Sequence, residues 1–223
     1  MEGDTSVTDD AGPPDATVRA ARTPADWAAI RELCCRTGNA GDPIEASRWP
    51  FFAEVWVGPY QRLLPGWTYV AEAAGEVVGY LTGCPDTRAF NRARFLRFAL
   101  PLVLRIVRGR YPRNADTCRF VRRTLRLKQG PEDHLLRRLP PSLYVEYPAH
   151  LHMNVAVGFR GQGIGRRLIA YYVEDLRRRD APGLHLFCGA VARPFYRRLG
   201  FEDLADLEVR PGVRVHALGR RLQ

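Results

Sequence analysis

The sequence predicts an α/β fold, and three observations carry that reading. An apolar stretch from Leu143 to Val157 runs into a glycine-rich turn, and the turn opens an amphipathic helix. A hairpin pattern joins Trp67–Glu72 to Val77–Thr82 across Ala74-Gly75-Glu76. The 223 residues are 46% hydrophobic and 26% charged, the balance of a globular chain long enough to bury its own core.

Taken in order, Thr17 to Arg22 reads as a first strand. Thr23-Pro24-Ala25-Asp26 supplies an N-cap hydroxyl, a proline at the first helical position and an acid at the third; Trp27, Ile30, Leu33 and Cys34 then recur at helical spacing up to Gly38-Asn39. Arg48 to Leu64 reads as helical or irregular, and the hairpin follows. From Phe95 to Val107 arginines alternate with bulky apolar residues, with Pro101 expected to kink or split the element. Beyond Pro140-Pro141 the pattern gives one long strand region over Leu143–Val157, a helix over Gly163–Arg179, a strand over Leu184–Cys188, a short helix over Arg193–Leu199 and a last strand over Val213–Leu218.

Charge divides the chain unevenly. The formal charge is +10, with a single lysine, Lys128, among 34 basic residues. Between Arg88 and Arg138 there are 15 basic residues and three acids (Asp116, Glu132 and Asp133), so this segment carries +12 and everything else sums to −2. Residues 1–16 are acidic and nearly free of large apolar groups, which predicts a disordered tail. The five cysteines form no CxxC pair, which suggests neither a disulfide framework nor a zinc site and fits a reducing cytoplasm. No uninterrupted apolar run approaches the ~20 residues of a membrane span, and the acidic start does not resemble a secretory signal.

The most specific feature is Met153 to Gly165, in which a strand enters the turn Gly158-Phe159-Arg160-Gly161-Gln162-Gly163. Such a turn presents consecutive N–H groups at a helix N-terminus, where the dipole favours a diphosphate and side chains would keep it away. Arg160-Gly161-Gln162-Gly163-Ile164-Gly165 resembles the R/Q-x-x-G-x-G/A motif of the GNAT superfamily of acyl-CoA-dependent N-acetyltransferases. Phe195-Tyr196-Arg197-Arg198-Leu199-Gly200-Phe201 resembles that superfamily's second motif. Gly58-Pro59-Tyr60, Val78-Gly79-Tyr80, Pro85-Asp86-Thr87 and Tyr147-Pro148-Ala149-His150-Leu151-His152 resemble bacterial relatives of the O-GlcNAcase C-terminal acetyltransferase-like domain.

The resemblance implies a GNAT fold over residues 17–223: a mixed central sheet splayed after strand 4, helices on both faces, and here a basic, mostly helical insertion at about 88–140. It implies acetyl-CoA as co-substrate; no metal is expected, because no third ligand is evident beside His150 and His152. Backbone groups of Val155, Ala156 and Val157 would pair with the pantetheine arm, and Arg160 with the amides of Gly161, Gln162, Gly163, Ile164, Gly165 and Arg166 would hold the pyrophosphate. Tyr196 fits the acid that protonates the departing thiolate.

For the base, His150 and His152 share one strand face with Asn154, an arrangement similar to the proton relay of arylalkylamine acetyltransferases, and Glu146 has the same parity. Each of these could instead be a hydrogen-bonded structural group. Gly189 stands where the second motif usually has asparagine, Pro194 shortens the following helix, Val157 replaces a frequent proline, and Asn154 occupies a position where Asp is expected in the subgroup.

The implied activity is transfer of acetyl to a primary amine, on a small molecule or a protein, by direct attack in a ternary complex. A catalytically silent binding module is the alternative. A further one is that the basic insertion binds nucleic acid or an anionic membrane, against which stands a merely solvated arginine face. The state expected is a monomer or homodimer.

Overall fold

A computed structural model describes residues 16–39, 41–125, 142–210 and 213–222. The acidic tail therefore lies, but for Ala16, outside the described residues, as does the end of the basic segment. Seven strands form one sheet in the order β1-β2-β3-β4-β5-β7-β6: β1 Thr17–Ala20, β2 Thr68–Ala73, β3 Glu76–Cys84, β4 Ala149–Val155, β5 Gly183–Gly189, β6 Glu202–Arg210 and β7 Val213–Arg221. All neighbours are antiparallel except β4 and β5.

Strand alternation sorts the core onto two faces. Tyr69, Ala71, Leu81 and Leu151 turn to one side, where Ile164, Leu168, Ile169, Tyr172 and Leu176 of helix α8 (Ile164–Arg177) complete the largest cluster. Val70 and Tyr80 turn to the other, against Trp27, Ile30 and Leu33 of α1 (Pro24–Arg36). The capping box expected at the start of α1 is present: Thr23 Oγ1 accepts from Asp26 N–H at 3.1 Å and the Asp26 carboxylate accepts from Thr23 N–H at 2.9 Å. Arg19 of β1 holds the same carboxylate through both terminal guanidinium nitrogens (2.8 and 3.0 Å), which keeps it far below the usual carboxylate range.

Helices α2 (Trp49–Trp56) and α3 (Gly58–Leu63) follow on the α1 side. The basic segment then forms α4 (Thr87–Arg94), a π-helical turn over Phe95–Ala99, α5 (Leu100–Val107) and α6 (Ala115–Thr124). Pro101 stands where the π-helical turn gives way to α5, and the widened turn before it takes up the misfit of a residue without an N–H. The described part of the insertion has a core of its own. Phe98, Leu102 and Ile106 pack with Tyr111 and Phe120 onto Phe51 and Val55 of α2. Arg48 locks the rim by a bidentate pair with Asp116 (2.6 and 3.1 Å).

Two expectations fail. Leu143 to Val157 is not one strand: Leu143–Glu146 is a helical turn, α7, and Val157–Phe159 is a 3-10 turn. Pro148 is the physical reason for the first break, because it holds Tyr147 out of the helical region and donates no hydrogen bond. The chain also ends in a hairpin rather than a lone strand, since Glu202–Arg210 pairs along β7; its run of acids hides the alternation of an edge strand. The short helix expected near Arg193 is found as α9, Arg193–Arg198.

Candidate active site

The sheet opens between β4 and β5. They pair at only two positions, Ala149 with Leu184 and His150 with His185, and then diverge while β4 stays on β3 and β5 on β7. Ala156 N–H donates to Val78 O at 2.8 Å. By antiparallel alternation, Asn154, His152 and His150 likewise spend their backbone groups on β3, while Met153 and Val155 turn theirs toward the gap. Of the expected Val155, Ala156 and Val157, Val155 shares the alternation toward the opening with Met153, which was not among the residues expected; Ala156 N–H is spent on Val78, and Val157 begins the 3-10 turn. Strand parity, applied to the backbone as well as the side chains, was the signal available.

At the mouth of the gap the glycine turn enters α8. Gly161 and Gly163 adopt φ of +82° and +77°, in the left-handed region that favours glycine, and Gly163 is the helix N-cap. A Cβ at Gly158, Gly161 or Gly163 would meet nothing within 4 Å, so the cradle is open to the amides of residues 161–166. Arg160 braces the turn instead of reaching outward. Its Nε donates to Val155 O at 3.1 Å and its Nη2 to Gly41 O at 3.3 Å. Gln162 folds back onto Gly158 O at 3.1 Å, Ile164 is buried in the core, and Arg166 is exposed. At Gly165 a Cβ would lie 3.0 Å from Phe195 and 3.2 Å from Met153, so α9 closes against the floor of β4 there.

Tyr196 is buried on the α8 side, its ring edge-on to Phe195 and Phe201 with centroids 5.0 and 5.6 Å away. Burial, and secondarily the neighbouring Cys188, hold its hydroxyl protonated well above the usual phenol range. The two histidines lie on the opposite face, and they differ. Thr87 Oγ1 gives its only proton to Pro148 O (2.7 Å), so it must accept from His150 Nδ1 (2.7 Å); Nε2 then accepts from the Tyr60 hydroxyl at 2.9 Å. Both nitrogens of His150 are engaged.

His152 stacks under Trp56 at 5.6 Å, and among the described residues its Nε2 has only a long 3.4 Å approach from the Asn154 amide, whose Nδ2 donates to Tyr80 at 2.9 Å. Burial lowers His152 to about 4. Burial, then His185, Arg94 and His152, lower His150 to about 3. Both imidazoles are neutral at pH 7.

Glu146 leaves the group. With α7 and Pro148 intervening, the parity that put it beside the histidines does not hold, and its carboxylate pairs with Arg221 at 2.6 Å at the C-terminal end of β7. Tyr60 and Thr87 stood in the quoted sequence blocks without a role, and Trp56 had none; all three reach the histidines from helices whose packing no local pattern encodes. Among the described residues no three His, Cys, Asp or Glu side chains come together as a metal site.

Comparison with known proteins agrees with this architecture. A family model described as an acetyltransferase (GNAT) domain matches residues 138–203, which span β4, the glycine turn, α8, β5 and α9. The chain is 34% identical to SsHAT over 94% of its own length and 100% of that chain, with a TM-score of 0.71. The fold is also that of a ribosomal-protein-alanine N-acetyltransferase from Brucella melitensis (20% identity, 92% and 99% covered, TM-score 0.51) and of yncA from Salmonella typhimurium (17%, 93% and 94%, TM-score 0.52). With the splayed sheet, the glycine turn and a relative this similar over its whole length, the chain belongs to the GNAT superfamily of acetyltransferases.

Proposed function

We propose that residues 17–223 form an acetyl-CoA-dependent N-acetyltransferase that acts on a primary amine of a small molecule or protein by direct attack in a ternary complex. One observation carries the reading: the gap between β4 and β5 leaves the backbone of Met153 and the N–H of Val155, whose carbonyl accepts from Arg160, directed into it beside an open set of helix N-terminal amides. The structure of yncA was solved with its cofactor acetyl-CoA, which supports the same co-substrate here. Bound acetyl-CoA would supply a thioester carbonyl for the amine to attack and a thiolate to leave.

This chain's residues supply the rest. Met153 and Val155 extend the sheet to an amide-bearing arm and offer N–H donors to an oxygen that gains charge. The amides of 161–166 and the α8 dipole neutralise a diphosphate, with Arg160 fixing the shape of the turn. His152 takes the amine proton at its weakly held Nε2, while His150, tied at both nitrogens, positions Tyr60. Tyr196, protonated across the working range, returns a proton from the other face.

The test is thiol release from acetyl-CoA across a panel of small amines and basic proteins. Release is expected with at least one acceptor, and Tyr196→Phe should lower kcat by about 10²-fold or more with an unchanged far-ultraviolet spectrum. Absence of release with every acceptor, despite tight acetyl-CoA binding, would identify a silent module instead.

A further inference from the structure

We propose that the C-terminal end of α5 carries an oxyanion site of its own, formed by Arg105, Arg108, Arg110 and Tyr111 and suited to a phosphate group. These four residues line a cavity of about 480 Å³. The site is independent of the acetyl-transfer reading. Phe51 and Val55 of α2 pack into the core of the insertion, whereas Trp56 on the same helix stacks on His152.

The backbone explains why three cations converge. Gly109 takes φ +76° just past the helix, Arg110 N–H donates to Arg105 O at 2.9 Å, and Gly109 N–H donates to Ile106 O at 3.0 Å. This is a Schellman ending, in which backbone donors satisfy the terminal carbonyls. The arginine side chains are therefore not consumed in capping, and the reversal brings Arg110 and Tyr111 back to the rim that holds Arg105 and Arg108.

Among the described residues their charge has little compensation. Arg108 and Arg110 make no ion pair among the described residues, and Arg105 has only a loose one, 3.6 Å from Glu54. Glu54 is buried and already bonded by Arg31 at 2.9 Å and by Arg62, so a single carboxylate answers three guanidinium groups. Planar guanidinium forks suit phosphate oxygens, and the Tyr111 hydroxyl, held protonated by burial, adds a neutral donor. Leu104 and Val107, 53% and 62% exposed, flank the arginines on the same helix. The phosphate could thus belong to a soluble compound or to a lipid headgroup lying against these side chains.

The experiment is an NMR titration of inorganic phosphate into the ¹⁵N-labelled full chain at physiological salt. Saturable shifts are expected at amides 105–111, with affinity at least ten-fold weaker in the Arg108→Gln/Arg110→Gln variant, whose altered side chains are exposed and leave the fold intact. The glycine turn reports separately through amides 158–166, so failure there leaves this site standing and the reverse. Shifts confined to 158–166, or equal affinity in the double variant, would overturn the proposal. Sedimentation with phosphatidylglycerol vesicles separates the sources. Binding lost in the double variant assigns a headgroup; phosphate shifts without vesicle binding assign a soluble phosphate compound.

Discussion

The β4–α8 unit and the insertion helices α4–α6 both prepare ground for anions, and they do so by opposite means. Around Gly158 to Gly165 side chains are withdrawn: glycines open the cradle, Arg160 folds back onto Val155, and the donors are main-chain N–H groups. Around Arg105 to Tyr111 the backbone satisfies itself and the side chains project. A backbone site tolerates little change at its glycines and much at its charged residues; a side-chain site behaves the other way.

Breaking the core of the insertion should have the largest effect. Phe98 is fully buried among Phe51, Leu102 and Ile106, and Phe98→Ala should cost about 3–5 kcal/mol, visible as a fall of roughly 10 °C in Tm. A much smaller fall would mean that the insertion is loosely attached.

Next comes the glycine turn. Gly163→Val forces a β-branched residue into the left-handed region, a strain of about 1–2 kcal/mol, and puts a side chain into the open cradle. Acetyl-CoA affinity should fall at least ten-fold, whereas Arg166→Gln, at an exposed side chain, should change it only a few-fold.

The smallest effect sits at the seam between the two regions, where Thr87 of α4 fixes His150. The ¹⁵N shifts of His150 should show a neutral ring protonated at Nδ1, and Thr87→Val should relax that preference without altering the resonances of His152. The sign of the pH dependence follows from the same burial. Both histidines titrate lower in the folded chain, to about 3 and about 4. The unfolded chain, near 6.5, therefore binds more protons across that interval. Their contribution to stability is complete above the unfolded value and is lost as pH falls through about 6.5 toward 3–4. Urea midpoints should drop over this window, less steeply in His150→Gln.

Legibility in the sequence followed locality. The first helix with its cap, the β2–β3 hairpin, the glycine turn and α8 are specified by neighbours in the chain, and each lies where spacing puts it. Glu146 was misplaced because one proline resets the parity of a run that looks continuous. The division of labour between His150 and His152 could not be read at all, since Tyr60, 90 residues from its partner, and Thr87, 63 residues away, decide it. The Met153 backbone was legible in principle, because alternation on an antiparallel neighbour fixes which amides face the gap.

The central claim, that the gap and the glycine turn together form an acetyl-CoA site, is tested most directly by calorimetric titration of acetyl-CoA into the wild-type chain and Gly163→Val. Saturable one-to-one binding that weakens at least ten-fold in the variant is the predicted result. No heat at millimolar acetyl-CoA, or equal affinity in both proteins, would contradict it.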